Sequence, residues 1–323
     1  MCTCVNLTTG HHYFGRNLDL EYSYREEVVV TPRAYPFRFR HASAPEAHYA
    51  MIGMATVMDG VPLYYEATNE RGVSMAGLNF PGSADYKPMT AGKDNIAPFE
   101  FIPWVLGQCA DMAEVRTCLE RVSVLAERYN DTLPLQPMHW MISCGDASIV
   151  VESVADGLHV CENPVGVMTN NPPFETQLFG LNNYRALSPS QPENTFAPDV
   201  PLTLYSNGMG ALGLPGDLSS ASRFVRAAFT KMHSSCGQSE AESVNQFFHI
   251  LGAVAMTRGA VLVNGKPEIT VYSCCCNADT GVYYYTTYEN SRITGVDMHR
   301  ENLDGQTLSR FPLTQGPQIL MAN

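Results

Sequence analysis

The second residue of this sequence could do chemistry by itself. Cys2 follows Met1 directly, and methionine is removed from a chain when the next side chain is small. Cys2 would then carry a thiol and a free α-amine on one residue. An α-amine has an ordinary pKa of about 8, close enough to neutrality to act as a general base. Because that base is attached to the nucleophile, no distant histidine is required. Such a residue can attack an acyl carbon and handle the proton itself, as an amidase must. Further on stands Phe14-Gly15-Arg16-Asn17-Leu18-Asp19. A carboxylate such as Asp19 can hold the amine, and a guanidinium such as Arg16 favours the thiolate. Read alone, Arg16 and Asp19 are more readily an ordinary surface ion pair. A turn that returns them beside Cys2 makes them a site.

The elements needed for that return are legible. Residues 2–7 and 12–18 flank Thr8-Thr9-Gly10, the pattern of a β-hairpin. Further short strands are predicted at 27–31, 51–58, 63–67 and 73–78, and an antiparallel series at 139–143, 148–154 and 158–162. Residues 269–276 and 282–288 flank a Gly-containing loop, again a hairpin. Helices are predicted after Asp111-Met112-Ala113-Glu114 and Ser239-Glu240-Ala241-Glu242, both written like capping boxes, and over 222–232. Near-continuous apolar strands suit sheets covered on both faces. The class is α+β; a helix–sheet–sheet–helix sandwich fits, as do other layered arrangements. The chain has 323 residues and no repeat or charge block, and residues 1–323 are expected to form one catalytic domain. The Pro/Ser/Asn-rich stretch 188–201 reads as a surface loop or an oligomer contact arm.

Composition narrows the partners. A net charge of −12 repels phosphate backbones and anionic lipid, so neither nucleic acid nor a membrane surface is expected as partner. No run approaches the ~20 apolar residues of a membrane span, and the first residues lack the apolar stretch of a secretory leader. A cytoplasmic protein is expected. Its ten cysteines show no repeated CxxC spacing, and all but Cys2 are expected to be reduced, mostly buried apolar residues. Cys274-Cys275-Cys276 suggests a metal site at first sight, but strand alternation sends Cys275 to the opposite face. His11, His12, His139 and His249 form no ligand motif. Neither metal nor nucleotide cofactor is expected.

Five ordered motifs then point to a family. They are Met1-Cys2-Thr3; Phe14 to Asp19; Ala76-Gly77-Leu78-Asn79-Phe80-Pro81; Met168-Thr169-Asn170-Asn171-Pro172; and Leu214-Pro215-Gly216-Asp217 with Ser222-Arg223-Phe224. Their order resembles the choloylglycine hydrolase family, in particular its bile salt hydrolases, and the likeness continues to Glu301-Asn302-Leu303-Asp304-Gly305. The resemblance implies the αββα sandwich of N-terminal-nucleophile hydrolases and hydrolysis of glycine- and taurine-conjugated bile acids through a Cys2 thioester. Penicillin V, or an N-acyl homoserine lactone, is the alternative substrate on this fold; a non-catalytic steroid-binding protein is the alternative of another class. It implies that Asp19 anchors the amine, that Arg16 lies against the sulfur, and that Asn79 helps form the oxyanion hole. Asn170 would contribute polar contacts to the substrate amide or the oxyanion, and Arg223 would complete the charged cluster. Leu18, Leu20, Tyr22, Tyr24, Met58 and Met138 become candidate walls for a steroid, and a homotetramer is implied. The family usually has Gly at position 4; Cys4 here is expected to be a passive packing residue.

Overall fold

The computed structural model describes residues 1–44 and 47–323. Two antiparallel sheets are stacked face to face. One has six strands in the order Val167–Met168, Cys2–Thr8, His12–Leu20, Ile269–Asn277, Val282–Thr287 and Thr294–Asp297. The other has eight, in the order Gly157–Glu162, Ala147–Val154, Met138–Cys144, Ser74–Asn79, Val61–Asn69, Met51–Met58, Glu27–Thr31 and Ser309–Pro312. Helices Ser220–Met232 and Glu240–Gly252 cover the six-stranded sheet, and Phe101–Gln108 and Met112–Arg121 cover the eight-stranded one. Of the layered folds open to the sequence, the four-layer sandwich is the one adopted.

Strand periodicity divides the core. Val28, Val30, Ile52, Met54, Ala76 and Leu78 join one cluster with Cys2, Cys4, Phe14, Leu18 and Tyr272 of the facing sheet. Their alternate neighbours Val29, Met51, Ala55, Met75 and Trp140 join Phe101, Trp104, Val105 and Val115 of the outer helices. Both faces are therefore apolar, which explains strands that read as unbroken hydrophobic runs. Each such side chain contributes about 1.5–3 kcal/mol when fully buried.

The Cys2–Thr8 and His12–Leu20 strands form the expected hairpin, with Thr8 opposite His12. Gly15 has a specific reason to be glycine: a Cβ there would lie 1.9 Å from the Cys274 carbonyl oxygen of the next strand. The Ser239 capping box forms as written. At Asp111 the side chain accepts from Glu114 N–H at 2.9 Å, but Glu114 reaches back to Ala110 N–H, one residue early. The Phe101–Gln108 helix has no counterpart in the sequence reading. Seven of its eight residues are buried, so it has no polar face and no amphipathic period to detect. Residues 188–201 form no helix or strand and expose Phe196.

Candidate active site

The hairpin register assembles the site. Cys2 pairs with Leu18 and Cys4 with Arg16, so these four belong to the face turned toward the second sheet. Thr3, paired with Asn17, belongs to the face under the helices. Arg16 is 1% exposed. Its Nη2 donates to Cys2 Sγ, and its Nη1 donates to the carbonyls of Gly77 (2.6 Å) and Tyr65 (3.3 Å) on the opposite sheet. Burial disfavours its charge, but the Cys2 sulfur and the nearby Tyr272 and Glu66 outweigh that and hold the guanidinium firmly protonated. The sulfur thus faces a fixed cation.

Asp19 is fully buried on the helix side. Its Oδ1 accepts from Thr270 Oγ1 at 2.6 Å, and its Oδ2 has no hydrogen-bond partner among the described residues. Burial pushes its carboxyl up to about 6, although Arg223 and the Thr270 hydroxyl pull the other way. Its backbone N–H donates to Met1 O at 2.9 Å, which places it across from the Met1–Cys2 peptide. The Met1 α-amine donates to the Asp19 carbonyl and to Glu268. With Met1 in place the Cys2 nitrogen is a peptide N–H, and it donates to Asn170 Oδ1 at 2.8 Å.

Asn170 and Arg223 tie this strand down. Arg223, completely buried, sits on the Ser220–Met232 helix. Its Nη1 donates to Cys2 O and to Thr3 Oγ1, the latter at 2.6 Å, and its Nη2 donates to Asn170 Oδ1 at 2.8 Å. Asn170 Nδ2 donates to the Asn79 carbonyl at 2.7 Å. Both ends of the Asn170 amide are therefore engaged by protein. Phe80, following Asn79, stacks on the His139 ring at 4.3 Å, and His139 Nε2 donates to the Thr169 carbonyl at 2.8 Å. The two asparagine-bearing segments lean on one another.

Cys2 and Arg16 open into a cavity of about 380 Å³ that Asn79 also lines. All six candidate wall residues, Leu18, Leu20, Tyr22, Tyr24, Met58 and Met138, line it. Tyr22 and Tyr24 share a hydroxyl contact of 2.7 Å. Sequence reading missed the far wall, Phe99, Ile102, Tyr129, Leu133 and Leu135. Three of these lie in an irregular stretch where no periodicity marks them. A second groove of about 590 Å³, lined by Lys87, Lys93 and Arg116 among others, contains none of these residues. Cys4 is buried in the inter-sheet core, where burial pushes its thiol far up. Thr270, Glu268, Tyr272, Tyr283 and Glu66 were not singled out either. Glu66 carried a usable signal, a lone acid inside the apolar run 63–67.

This arrangement suits nucleophilic attack on an acyl carbon by sulfur: a thiol against a buried cation, a buried carboxylate behind it, and an apolar chamber in front. Comparisons with known proteins agree in kind. The model of the linear amide C–N hydrolases of the choloylglycine hydrolase family matches residues 2–311. A bile salt hydrolase/transferase of Lactiplantibacillus plantarum is 52% identical over 324 residues, covering 100% of each chain. A conjugated bile acid hydrolase of Clostridium perfringens superposes with a TM-score of 0.91 at 36% identity, covering 100% of both chains. A penicillin V acylase of Agrobacterium tumefaciens shares the fold, with a TM-score of 0.72 at 18% identity over 97% of this chain and 91% of its own.

Proposed function

From the premise that this chain belongs to the choloylglycine hydrolase family of linear amide C–N hydrolases, we propose that it hydrolyses the amide joining a bile acid to glycine or taurine. The observation that carries this reading is the Cys2 sulfur held by Arg16 in the buried wall of an apolar cavity. Leucine, methionine and aromatic walls match a rigid hydrocarbon skeleton with few polar handles.

Removal of Met1 frees the α-amine of Cys2, and Asp19, with Oδ2 unengaged among the described residues, is its acceptor. Cys2 Sγ attacks the amide carbon while that amine takes the thiol proton. Asn79, lining the cavity, supplies the side-chain donor to the oxyanion, a contact worth roughly 3–4 kcal/mol. Asn170 holds the Cys2 nitrogen and, through the Asn79 carbonyl, keeps that donor in register with the substrate amide. The ammonium returns its proton to the leaving nitrogen, the carbon–nitrogen bond breaks, and a thioester remains. Water, deprotonated by the same amine, attacks the thioester; the carboxylic acid departs and the thiol is restored. Arg16 presents a cation to the cavity, which favours an anionic substrate, whereas Arg223 is buried behind the strand and outside the cavity lining.

Incubation with glycocholate, taurocholate and penicillin V, followed by detection of the released amine, tests the reading. Cys2→Ala is expected to abolish release of glycine and taurine. Unchanged release in that variant would remove the nucleophile, cleavage of penicillin V alone would transfer the site to the other acylase, and bile salt binding without turnover would leave a steroid-binding protein. Retained Met1 in the intact mass of active protein would remove the amine from the mechanism. A cytoplasmic homotetramer completes the proposal, with 188–201 as contact arm. Exposed Phe196 and Val200 support that arm, and a monomer by light scattering would withdraw it.

A further inference from the structure

The proposed mechanism leaves one buried acid unused. Glu66, 2% exposed, projects from the Val61–Asn69 strand toward the space between the sheets. Tyr272 Oη donates to its Oε2 at 2.7 Å, Tyr283 Oη donates to Oε1 at 2.6 Å, and the Cys274 thiol donates to Oε1 at 3.5 Å. Arg16 Nε stands 3.8 Å from Oε2. An isolated carboxylate at this depth would lose its charge. Burial still leaves the Glu66 carboxyl raised above the ordinary value, while Arg16 and the three donors around both oxygens pull it back toward the ionised form. Arg16 therefore lies between two anion sites, with Glu66 along its Nε edge and the Cys2 sulfur at Nη2.

We propose that Glu66 is a positioning residue for the amide hydrolysis, acting as the fixed counter-ion that aims Arg16 at Cys2 and offsets part of its charge. The inference rests on Cys2 being the nucleophile. Without the offset, the full field of a buried guanidinium falls on the sulfur. A thiolate stabilised too strongly attacks slowly, because nucleophilicity falls along with basicity. The offset keeps the sulfur reactive while the guanidinium stays in place. The ionisable side chains facing this pair come from several elements. Between the sheets these are Cys4 on the hairpin, Tyr272 and Cys274 on the Ile269–Asn277 strand, Tyr283 on its neighbour, and Tyr65 next to Glu66; Asp19 and Arg223 lie on the helix side, and Glu268 holds the Met1 amine. The α-amine belongs to Cys2 itself. Among these, Glu66 is the carboxylate with a charged contact to Arg16.

The test is Glu66→Gln, which keeps the size and removes the charge. Alkylation of Cys2 by iodoacetamide is followed by peptide mass spectrometry at about pH 5 and about pH 8. The ratio of the two rates, acid over alkaline, is expected to rise on the order of tenfold. Turnover of glycocholate should fall about tenfold in kcat with KM little changed. Tyr283→Phe withdraws one donor from the carboxylate and is expected to move the alkylation ratio in the same direction by less, which keeps the test usable if Glu66→Gln does not fold. A ratio that stays the same or falls in the folded variants overturns the inference. Hydrolysis lost in Cys2→Ala alongside an unmoved ratio would sink the role of Glu66 and leave the nucleophile standing, whereas full hydrolysis in Cys2→Ala would remove the premise.

Discussion

Asp19→Asn separates the charge of the proposed amine anchor from its shape. In the wild-type protein the carboxylate is fully buried, with Thr270 on one oxygen and Arg223 near enough to favour ionisation. Replacing it with an amide leaves the Cys2 ammonium without an anion, and it leaves Arg223 with one fewer compensating charge. Breaking a buried charge pair from one side costs about 3–5 kcal/mol. If about 3 kcal/mol of that is expressed in the transition state, kcat/KM falls by more than about a hundredfold.

The pH profile provides the sharper reading. Burial raises the Asp19 carboxyl to about 6, so falling pH protonates it through that value and removes the anchor. Wild-type kcat/KM for glycocholate should be halved near the midpoint at about 6 and cut roughly tenfold one unit below it. In Asp19→Asn that acid limb should be absent. Thr270→Val removes a hydrogen bond that favours the ionised form, a net effect of about 1 kcal/mol, so the limb should move to higher pH by up to about 0.7 unit. The assay is release of glycine from glycocholate at saturating and limiting substrate across about pH 4–8. An Asp19→Asn variant within about threefold of wild type, or one that keeps the limb near 6, would refute the assignment of Asp19 as anchor.

Two further substitutions probe the scaffold. Gly15→Ala would place a methyl 1.9 Å from the Cys274 carbonyl oxygen, so adjacent strands must part. A loss of roughly 3 kcal/mol or more is expected, read as a fall in the urea midpoint, and a midpoint equal to wild type would contradict the close approach. His139→Phe preserves the stack on Phe80 but leaves the Thr169 carbonyl without the donor now at 2.8 Å, and leaves Glu152 Oε1 with the Phe174 N–H alone. Each unsatisfied group costs about 1–3 kcal/mol. The melting temperature should fall, and kcat should fall about tenfold with KM nearly constant, because the segments bearing Asn79 and Asn170 lose their brace. His139→Gln should recover part of both.

What the sequence disclosed about the site depended on how far apart its parts lie along the chain. Cys2, Arg16 and Asp19 occupy the two arms of one hairpin, so a short turn was enough to return Arg16 to the face of the sulfur and Asp19, on the other face, beside the Met1–Cys2 peptide. The residues that tune them come from the other end of the chain or from the facing sheet. Tyr283 meets Glu66 across 217 positions and Arg223 meets Thr3 across 220, and neither pairing leaves a local pattern. Glu66 also contradicts strand statistics, since an acid in an alternating strand normally faces water; here a guanidinium and two phenols replace that water. The outer helix Phe101–Gln108 escaped for the opposite reason, being apolar on every side. The near wall of the cavity was readable because Leu18 and Leu20 continue the hairpin and Tyr22 and Tyr24 follow it. Of the far wall, Tyr129, Leu133 and Leu135 are irregular chain, and Phe99 and Ile102 belong to the apolar helix and the turn that leads into it. In this fold the reactive group is encoded locally and its electrostatic setting is not. Substitutions on the sheet opposite Cys2 should therefore alter its reactivity without touching the hairpin that carries it, and Glu66 is where that separation is most exposed to measurement.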